Sequence, residues 1–149
     1  MAEAWRAIRG LYLITPDGAE RERMLGTVAA AVRAGVRVIQ YRDKQSTRAR
    51  RLADAHALRA ICQSAGAALI INDDVELCAR VRAHGVHLGR DDGTIHAARA
   101  MLGASVLIGA SCYNDLALAQ RARRAGASYV AFGSVWPSPT KPEAVRAPL

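Results

Sequence analysis

The chain contains few residues of several kinds, and each shortage narrows what the protein can be. Its 149 residues include only three cysteines, Cys62, Cys78 and Cys112. An odd number without metal-like spacing predicts free thiols and a reducing compartment. No apolar run approaches the length of a membrane span, and the first ten residues lack the continuous apolar segment of a secretory signal. We therefore expect a soluble, cytoplasmic protein.

Lysine is also scarce, although the chain is strongly basic. The formal net charge is +8, yet of 21 basic residues only Lys44 and Lys141 are lysine. The arginines are spread over predicted helices, and no segment interleaves aromatic with basic residues, so the composition does not favour nucleic-acid binding. Both lysines follow a predicted strand end, where a compact ammonium group suits a phosphate oxygen. The sequence therefore favours a small anionic ligand.

A repeated pattern organises the chain as one α/β domain over residues 1–149. Five times a predicted helix ends at a glycine and is followed by a short apolar strand that stops at a polar residue. With a first strand at LYLIT, this predicts six parallel strands and five helices. Six strands fit either an open doubly wound sheet or most of a TIM-type (β/α)8 barrel, but no GxGxxG or GKS/GKT segment supports a nucleotide-binding sheet. In both folds ligands bind at the carboxyl ends of the strands. The five glycines are Gly35, Gly66, Gly85, Gly103 and Gly126.

The second predicted strand ends in three polar side chains on one face. Alternation along IQYRDK aligns Gln40, Arg42 and Lys44. Two cations and an amide are costly to bury without an anionic partner. This pattern predicts an anion-binding strand end, the alternative being a solvated one.

Acidic residues follow the third and fourth strands. INDD places Asn72 and Asp73 at one strand end, and GRDD places Asp92 at the next. Two carboxylates that meet there would repel each other unless a cation lay between them, and Mg²⁺ commonly takes one or two carboxylates together with waters and substrate phosphates. Helix capping is the alternative, and it is favoured for Asp74 and Asp91. We therefore predict that Asp73 and Asp92 bind Mg²⁺.

Hydroxyl groups lie near the last two predicted strand ends. Ser111 ends the fifth strand as a small donor, and the loop GSVWPSPTK brings Ser138 and Thr140 close to Lys141. A stiff, hydroxyl-rich loop that ends in lysine suits a phosphate or pyrophosphate. His87, within GVHLG, is interpreted as a packed histidine rather than as a ligand or a base.

Six motifs in this order, LYLIT, IQYRDK, INDD, GVHLGRDD, IGAS and PSPTK, resemble the thiamine phosphate synthase family over nearly the whole chain. The resemblance implies a (β/α)8 barrel that joins 4-amino-2-methyl-5-(diphosphooxymethyl)pyrimidine to a thiazole phosphate. Diphosphate leaves first, and the thiazole nitrogen captures the pyrimidine methylene cation. The resemblance implies that Arg42, Lys44 and Lys141 stabilise the departing diphosphate, that Asp73 and Asp92 hold Mg²⁺, and that Ser138 and Thr140 contact the thiazole phosphate. The implied substrate contacts are Gln40, Tyr41, Arg42, Asp43, Lys44, Asn72, Ser111, Ser138, Thr140 and Lys141.

The chain departs from the family pattern in three places. Arg90 stands where the family usually has glutamine, and Ser138 replaces a threonine. The chain also ends before the family's last two strands, so we expect a diphosphate half-site, an incomplete acceptor half, and self-association through bare edge strands. The alternatives are a thiazole tautomerase, which the paired acids and the PSPTK loop argue against, and a module that binds phosphate or diphosphate without turnover.

Overall fold

Strands and helices alternate along the chain in the computed structural model, which describes residues 8–89, 94–137 and 146–147. None of the helices in these ranges is both long enough and apolar enough to cross a bilayer. The strands are β1 (Tyr12–Ile14), β2 (Val38–Tyr41), β3 (Ala68–Asn72), β4 (Gly85–Leu88), β5 (Leu107–Tyr113) and β6 (Tyr129–Phe132). The helices are α1 (Arg21–Arg33), α2 (Arg48–Ser64), α3 (Val75–Val81), α4 (Ile95–Leu102) and α5 (Leu116–Arg124).

The six strands form one parallel, curled sheet. They lie in chain order from β1 to β6, without the reversal of order that a doubly wound sheet has. A flat sheet would hold β1 and β6 about 24 Å apart, at about 4.8 Å per strand. Instead, the hydroxyl groups of Tyr12 on β1 and Tyr129 on β6 are 2.9 Å apart. The predicted parallel β/α sheet is confirmed as a curled half-barrel, whereas a closed barrel of eight units is not what the described residues show.

Alternation along each strand separates two apolar layers. The outer layer is the main core, in which Ile39, Leu69 and Ile108 of the sheet are fully buried against the helices. On the inner face, Val38 and Ile70 pack with Leu107 in a smaller cluster. Polar side chains follow this cluster on the same inner face toward the carboxyl ends of the strands, and they form the site described below.

Side-chain caps fix where the helices begin. Thr47, Asp74 and Asp115 each accept a hydrogen bond from the backbone N–H three residues further on, at 3.2, 2.8 and 2.8 Å. Such caps satisfy backbone donors that have no partner within the helix. The prediction that Asp74 caps a helix is confirmed, while Asp91 lies outside the described residues.

One of the five glycines predicted to end a helix has a different role. Helix α3 ends at Val81, and Arg82 adopts the left-handed conformation there, with φ of 51°. Gly85 lies within β4. The other four glycines have positive φ, as the prediction requires; Gly35, for example, has φ of 101°.

The two edge strands expose apolar side chains. Ile14 on β1 is 53% exposed and Phe132 on β6 is 51% exposed, and Leu11 beside β1 is 65% exposed. Within the described residues no further strand pairs with either edge. Unpaired backbone groups next to apolar side chains favour pairing with another chain.

His84 should make the stability of the fold depend on pH. Its Nδ1 accepts a hydrogen bond of 2.9 Å from the Leu69 backbone N–H, so the ring must remain neutral. Burial, with a smaller contribution from Arg59, lowers the pKa of His84 below its usual 6.5. As the pH falls below about 6.5 the unfolded chain therefore takes up this proton first, and stability is lost toward the lower pKa of the folded state.

We expect the substitution His84→Asn to flatten that part of the pH profile, because the amide oxygen can accept the same bond without titrating. Urea unfolding of both chains between about pH 5 and pH 8 measures the difference. The exposed His56 and His96 remain in both chains and cancel in the comparison. Parallel profiles for the two chains would contradict the assignment.

Candidate functional site

A cavity of about 660 Å³ lies on the inner face of the sheet, at the carboxyl ends of the strands. This volume is within the range of about 300–1,000 Å³ that is typical of small-molecule sites. Each of the six strands, or the loop after it, contributes to the lining. The polar and aromatic lining residues include Tyr12, Thr15, Asp17, Gln40, Arg42, Asn72, His87, Ser111, Tyr113 and Tyr129.

An amide pair lies at the ends of β2 and β3. Gln40 is 3% exposed, and its Nε2 donates a hydrogen bond of 3.1 Å to Oδ1 of Asn72. Both were predicted as substrate contacts, and the structure brings them together in the cavity. Amides both donate and accept hydrogen bonds, so this pair suits the ring nitrogens and amino group of a heteroaromatic ligand.

Two residues that the sequence analysis did not single out hold Arg42 in place. The Thr15 hydroxyl accepts a bond of 2.9 Å from the Arg42 backbone N–H and donates one of 3.1 Å to its carbonyl. The Asp17 carboxylate accepts a hydrogen bond of 2.8 Å from the Arg42 guanidinium and one of 2.6 Å from the Lys44 backbone N–H. A carboxylate shortly after the first strand, at the end of the sheet where ligands bind, was an available signal for Asp17.

Lys44 and Asp73 form an ion pair beyond the ends of β2 and β3, and neither is among the residues that line the cavity. The Lys44 Nζ lies 2.8 Å from Asp73 Oδ2, with the two side chains 50% and 24% exposed. Asp73 has a φ of 65°, and its backbone N–H donates a hydrogen bond of 2.8 Å to the His87 carbonyl. This backbone bond fixes the Asp73 loop against β4, so the position of the carboxylate does not depend on the ion pair alone.

The Asp73 carboxylate has the chemistry that Mg²⁺ requires. Mg²⁺ is held by hard oxygen ligands, often by one or two carboxylates with waters and substrate phosphates supplying the rest. The described part of the chain contains no group of three or more histidine, cysteine, aspartate or glutamate side chains that could hold a metal alone. The predicted partner Asp92 lies outside the described residues, as do Arg90, Ser138, Thr140 and Lys141. Their roles stay predictions.

A row of four hydrogen-bonding side chains crosses the cavity. His87 Nε2 lies 2.9 Å from the Ser111 hydroxyl, and His87 Nδ1 lies 3.1 Å from the Tyr129 hydroxyl. The Tyr129 hydroxyl in turn lies 2.9 Å from that of Tyr12. His87 is therefore more than the packed histidine of our interpretation, because both of its ring nitrogens face other polar groups of the cavity.

The two tyrosines in this row keep their protons. Burial raises the pKa of Tyr12 to about 12. Burial also raises the pKa of Tyr129, with a further contribution from the neighbouring Tyr12. Both hydroxyls are therefore donors over the physiological range. Cys112, next to Ser111, is fully buried, and burial raises the pKa of its thiol, which makes it a poor nucleophile.

The side chains of Tyr41 and Asp43, two of the predicted substrate contacts, do not border the cavity. Tyr41 is 2% exposed within the outer core, and its hydroxyl donates a hydrogen bond of 3.3 Å to the Asp43 carboxylate. Asp43 accepts 3.0 Å bonds from the backbone N–H groups of Gln45 and Ser46. Although burial alone would raise the pKa of Asp43, hydrogen bonds from Ser46 and Gln45 outweigh it and lower the pKa. Alternation along β2 places the Tyr41 side chain in the outer core, and the Asp43 carboxylate instead stabilises the turn before α2.

Fold and site together define a curled parallel β/α half-barrel, with a small-molecule cavity at the carboxyl end of the sheet. A fold-level likeness agrees with this class. A truncated form of 3-deoxy-D-arabino-heptulosonate 7-phosphate synthase from Thermotoga maritima aligns with a TM-score of 0.56 and 14% identity, over 82% of this chain and 50% of that one. At that identity the likeness shows the fold alone.

Sequence relatives identify the family within this class. Residues 11–149 match the family described as thiamine monophosphate synthase. The thiamine-phosphate synthase of Chromobacterium violaceum is 56% identical over 142 residues, covering 95% of this chain and 69% of the relative. The thiamine-phosphate synthase of Thioalkalivibrio sulfidiphilus is 53% identical over 150 residues, covering 100% of this chain and 71% of the relative. The chain belongs to the thiamine monophosphate synthase family.

A solved structure of related sequence supports the same assignment. The thiamine phosphate pyrophosphorylase from Pyrococcus furiosus aligns with a TM-score of 0.78 and 29% identity. The alignment covers 91% of this chain but 64% of that one. The chain thus spans just under two thirds of the length of that structure.

Proposed function

We propose that this chain binds 4-amino-2-methyl-5-(diphosphooxymethyl)pyrimidine in the cavity and joins it to a thiazole phosphate. The products are diphosphate and thiamine phosphate, whose formation is the activity for which the family is named. One arrangement supports the proposal above all. Arg42 lines the cavity just after β2, with Lys44 two residues further along the chain, and the Gln40–Asn72 amide pair and the tyrosines line it as well. The cationic segment suits the diphosphate, and the amides and tyrosines suit the pyrimidine.

In the proposed reaction the carbon–oxygen bond to diphosphate breaks before the new bond forms. The bonding electrons leave with the diphosphate, and the pyrimidine methylene carbon becomes a cation. The lone pair of the thiazole nitrogen then forms the carbon–nitrogen bond. No proton is removed from either reactant in these steps, so the scheme requires no general base.

The charge that needs stabilising in this scheme develops on the leaving diphosphate. Fixed cationic donors are most effective where charge appears in the transition state. Arg42 is fixed by Asp17 and Thr15, and it can offer its remaining N–H groups to phosphoryl oxygens. Lys44 and Lys141 are proposed to act with it, and the hydroxyl of Ser111 to donate a further hydrogen bond.

Asp73, together with Asp92, is proposed to hold Mg²⁺ next to these cationic side chains. When bound, Mg²⁺ supplies Lewis-acid stabilisation of the diphosphate charge. In the described structure the Lys44 ammonium lies against Asp73, so this carboxylate already faces a cation. Ser138 and Thr140 are proposed to contact the phosphate of the thiazole, which would place the acceptor beside the PSPTK loop.

The direct test is to incubate the chain with both substrates and Mg²⁺ and to measure thiamine phosphate by chromatography. We expect product that depends on both substrates and on the metal. Binding of the pyrimidine diphosphate without product would support a module that binds anions without turnover. Neither binding nor product would contradict the proposed function.

Two further expectations belong to the proposal. Self-association through the exposed edges at Ile14 and Phe132 would raise the mass above 15.9 kDa in light scattering of the assay sample. The second expectation is a cytoplasmic location, because free thiols suit a reducing compartment.

A further inference from the structure

The row Tyr12–Tyr129–His87–Ser111 connects both sides of the half-barrel through the cavity. Its members come from β1, β6, β4 and β5, so the row crosses the inner face of the sheet. Three contacts of 2.9, 3.1 and 2.9 Å link the four side chains without a gap. The Tyr129 ring also lies 5.6 Å from the His87 ring, centroid to centroid.

A glycine makes this row possible. Gly109 on β5 is in register with both His87 on β4 and Tyr129 on β6. A Cβ at Gly109 would overlap Cζ of Tyr129 and would lie 2.6 Å from Nδ1 of His87. Without a side chain at this position, Tyr129 can reach across β5 to the histidine.

With a neutral His87 ring, the protons of the row follow two patterns that differ in the ring tautomer. In the first, Ser111 donates to His87, His87 donates to Tyr129, and Tyr129 donates to Tyr12. In the second, every bond is reversed: Tyr12 donates to Tyr129, Tyr129 donates to His87 Nδ1, and His87 Nε2–H donates to Ser111. Only the second arrangement leaves the Ser111 proton free for a ligand.

A diphosphate is an acceptor, so it can interact favourably only with the second arrangement. In the first, the serine would present lone pairs to the anion, and the anion would be repelled. Because both tyrosines stay protonated, Tyr129 always has a proton to donate to Nδ1. The tautomer of His87 therefore decides whether Ser111 can donate to the anion.

We propose that Tyr129, supported by Tyr12, fixes His87 as the Nε2–H tautomer and thereby aims the Ser111 proton at the diphosphate. Tyr129 and His87 are positioning residues, which act on the ligand through Ser111. This inference rests on the proposed function, because it takes a diphosphate as the ligand. Tyr12 acts one bond further away, so its loss should matter less than that of Tyr129.

A double-mutant cycle with inorganic diphosphate and Mg²⁺ tests the coupling. Calorimetry on the full chain compares the wild type, Tyr129→Phe, Ser111→Ala and the double variant. We expect Tyr129→Phe to weaken diphosphate binding about tenfold, the value of one hydrogen bond to a charged group. In the Ser111→Ala background the same change should have almost no effect. Equal effects in both backgrounds would mean a structural role and would overturn the inference.

Nitrogen NMR of the histidine-labelled chain gives a second, independent readout. Spectra are taken with saturating diphosphate at about pH 8, above the ordinary histidine pKa, and a His87→Asn sample assigns the His87 signals. Protonated Nε2 with unprotonated Nδ1 supports the inference, and protonated Nδ1 overturns it while the proposed function stands. If the wild type fails to bind diphosphate at all, both the inference and the proposed function fail.

Discussion

Asp73→Asn should lower Mg²⁺-dependent turnover by about a thousandfold, the upper end of what loss of one charge-stabilising group costs. Asparagine keeps the size of the side chain and tolerates the positive φ of 65° at this position. The backbone bond to His87 is also unaffected, so the loop should keep its shape. The substitution removes only the negative charge that is proposed to hold the metal and that pairs with Lys44.

The response to metal separates this role from a general loss of binding. Calorimetry with inorganic diphosphate should show that Mg²⁺ strengthens binding to the wild type but not to Asp73→Asn. Without Mg²⁺ the variant should bind diphosphate at least as well as the wild type, because Lys44 loses the carboxylate that competes for it. Unchanged Mg²⁺ enhancement in the variant would remove Asp73 from the metal role.

Asp74→Asn is the matched control for this experiment. Asp74 is the adjacent acid, but it caps α3 through a 2.8 Å bond from the Leu77 backbone N–H and pairs with Arg51 rather than with Lys44. Asparagine caps helices about as well as aspartate. The control should therefore keep both its stability and its response to Mg²⁺.

The side chains that meet in the cavity could be predicted where local periodicity determines them. Gln40, Asn72 and Ser111 each lie at or near the carboxyl end of a strand, and parallel strands bring these ends to one side of the sheet. The same alternation sends Tyr41 to the outer core. A motif applied as a whole segment, from Gln40 to Lys44, does not separate the two faces.

Contacts that depend on the curl of the sheet could not be predicted. Tyr12 and Tyr129 are 117 positions apart, and nothing in either strand alone indicates that the first and last strands meet. The 1% exposed Asp54 is a second case. The packing of α1 against α2 brings Arg21 to it, whereas Arg50 pairs with it within α2 at a spacing of four residues. The sequence analysis predicted five helices but did not single out Asp54.

Gly85→Ala should destabilise the fold by about 3 kcal/mol, the upper range for overpacking a well-packed core. A Cβ at Gly85 would lie 2.6 Å from the Leu107 carbonyl oxygen and 2.8 Å from Cδ1 of Ile70. The first of these atoms belongs to the backbone of β5 and cannot move without disturbing the pairing of β4 with β5. Against a typical stability of about 5–15 kcal/mol, such a loss is severe.

Two other glycines calibrate this effect in urea unfolding. Gly26 lies on the exposed side of α1, where an added Cβ would have no atom within 4 Å, so Gly26→Ala should stabilise the chain by up to about 1 kcal/mol. Gly109→Ala would meet the far ends of two side chains, Tyr129 and His87, which can move aside. We therefore expect a smaller loss of stability than at Gly85 but a clear loss of diphosphate binding. A Gly85 variant as stable as the wild type would contradict the tight approach of β4 to β5, since only a backbone shift could accommodate the added methyl group.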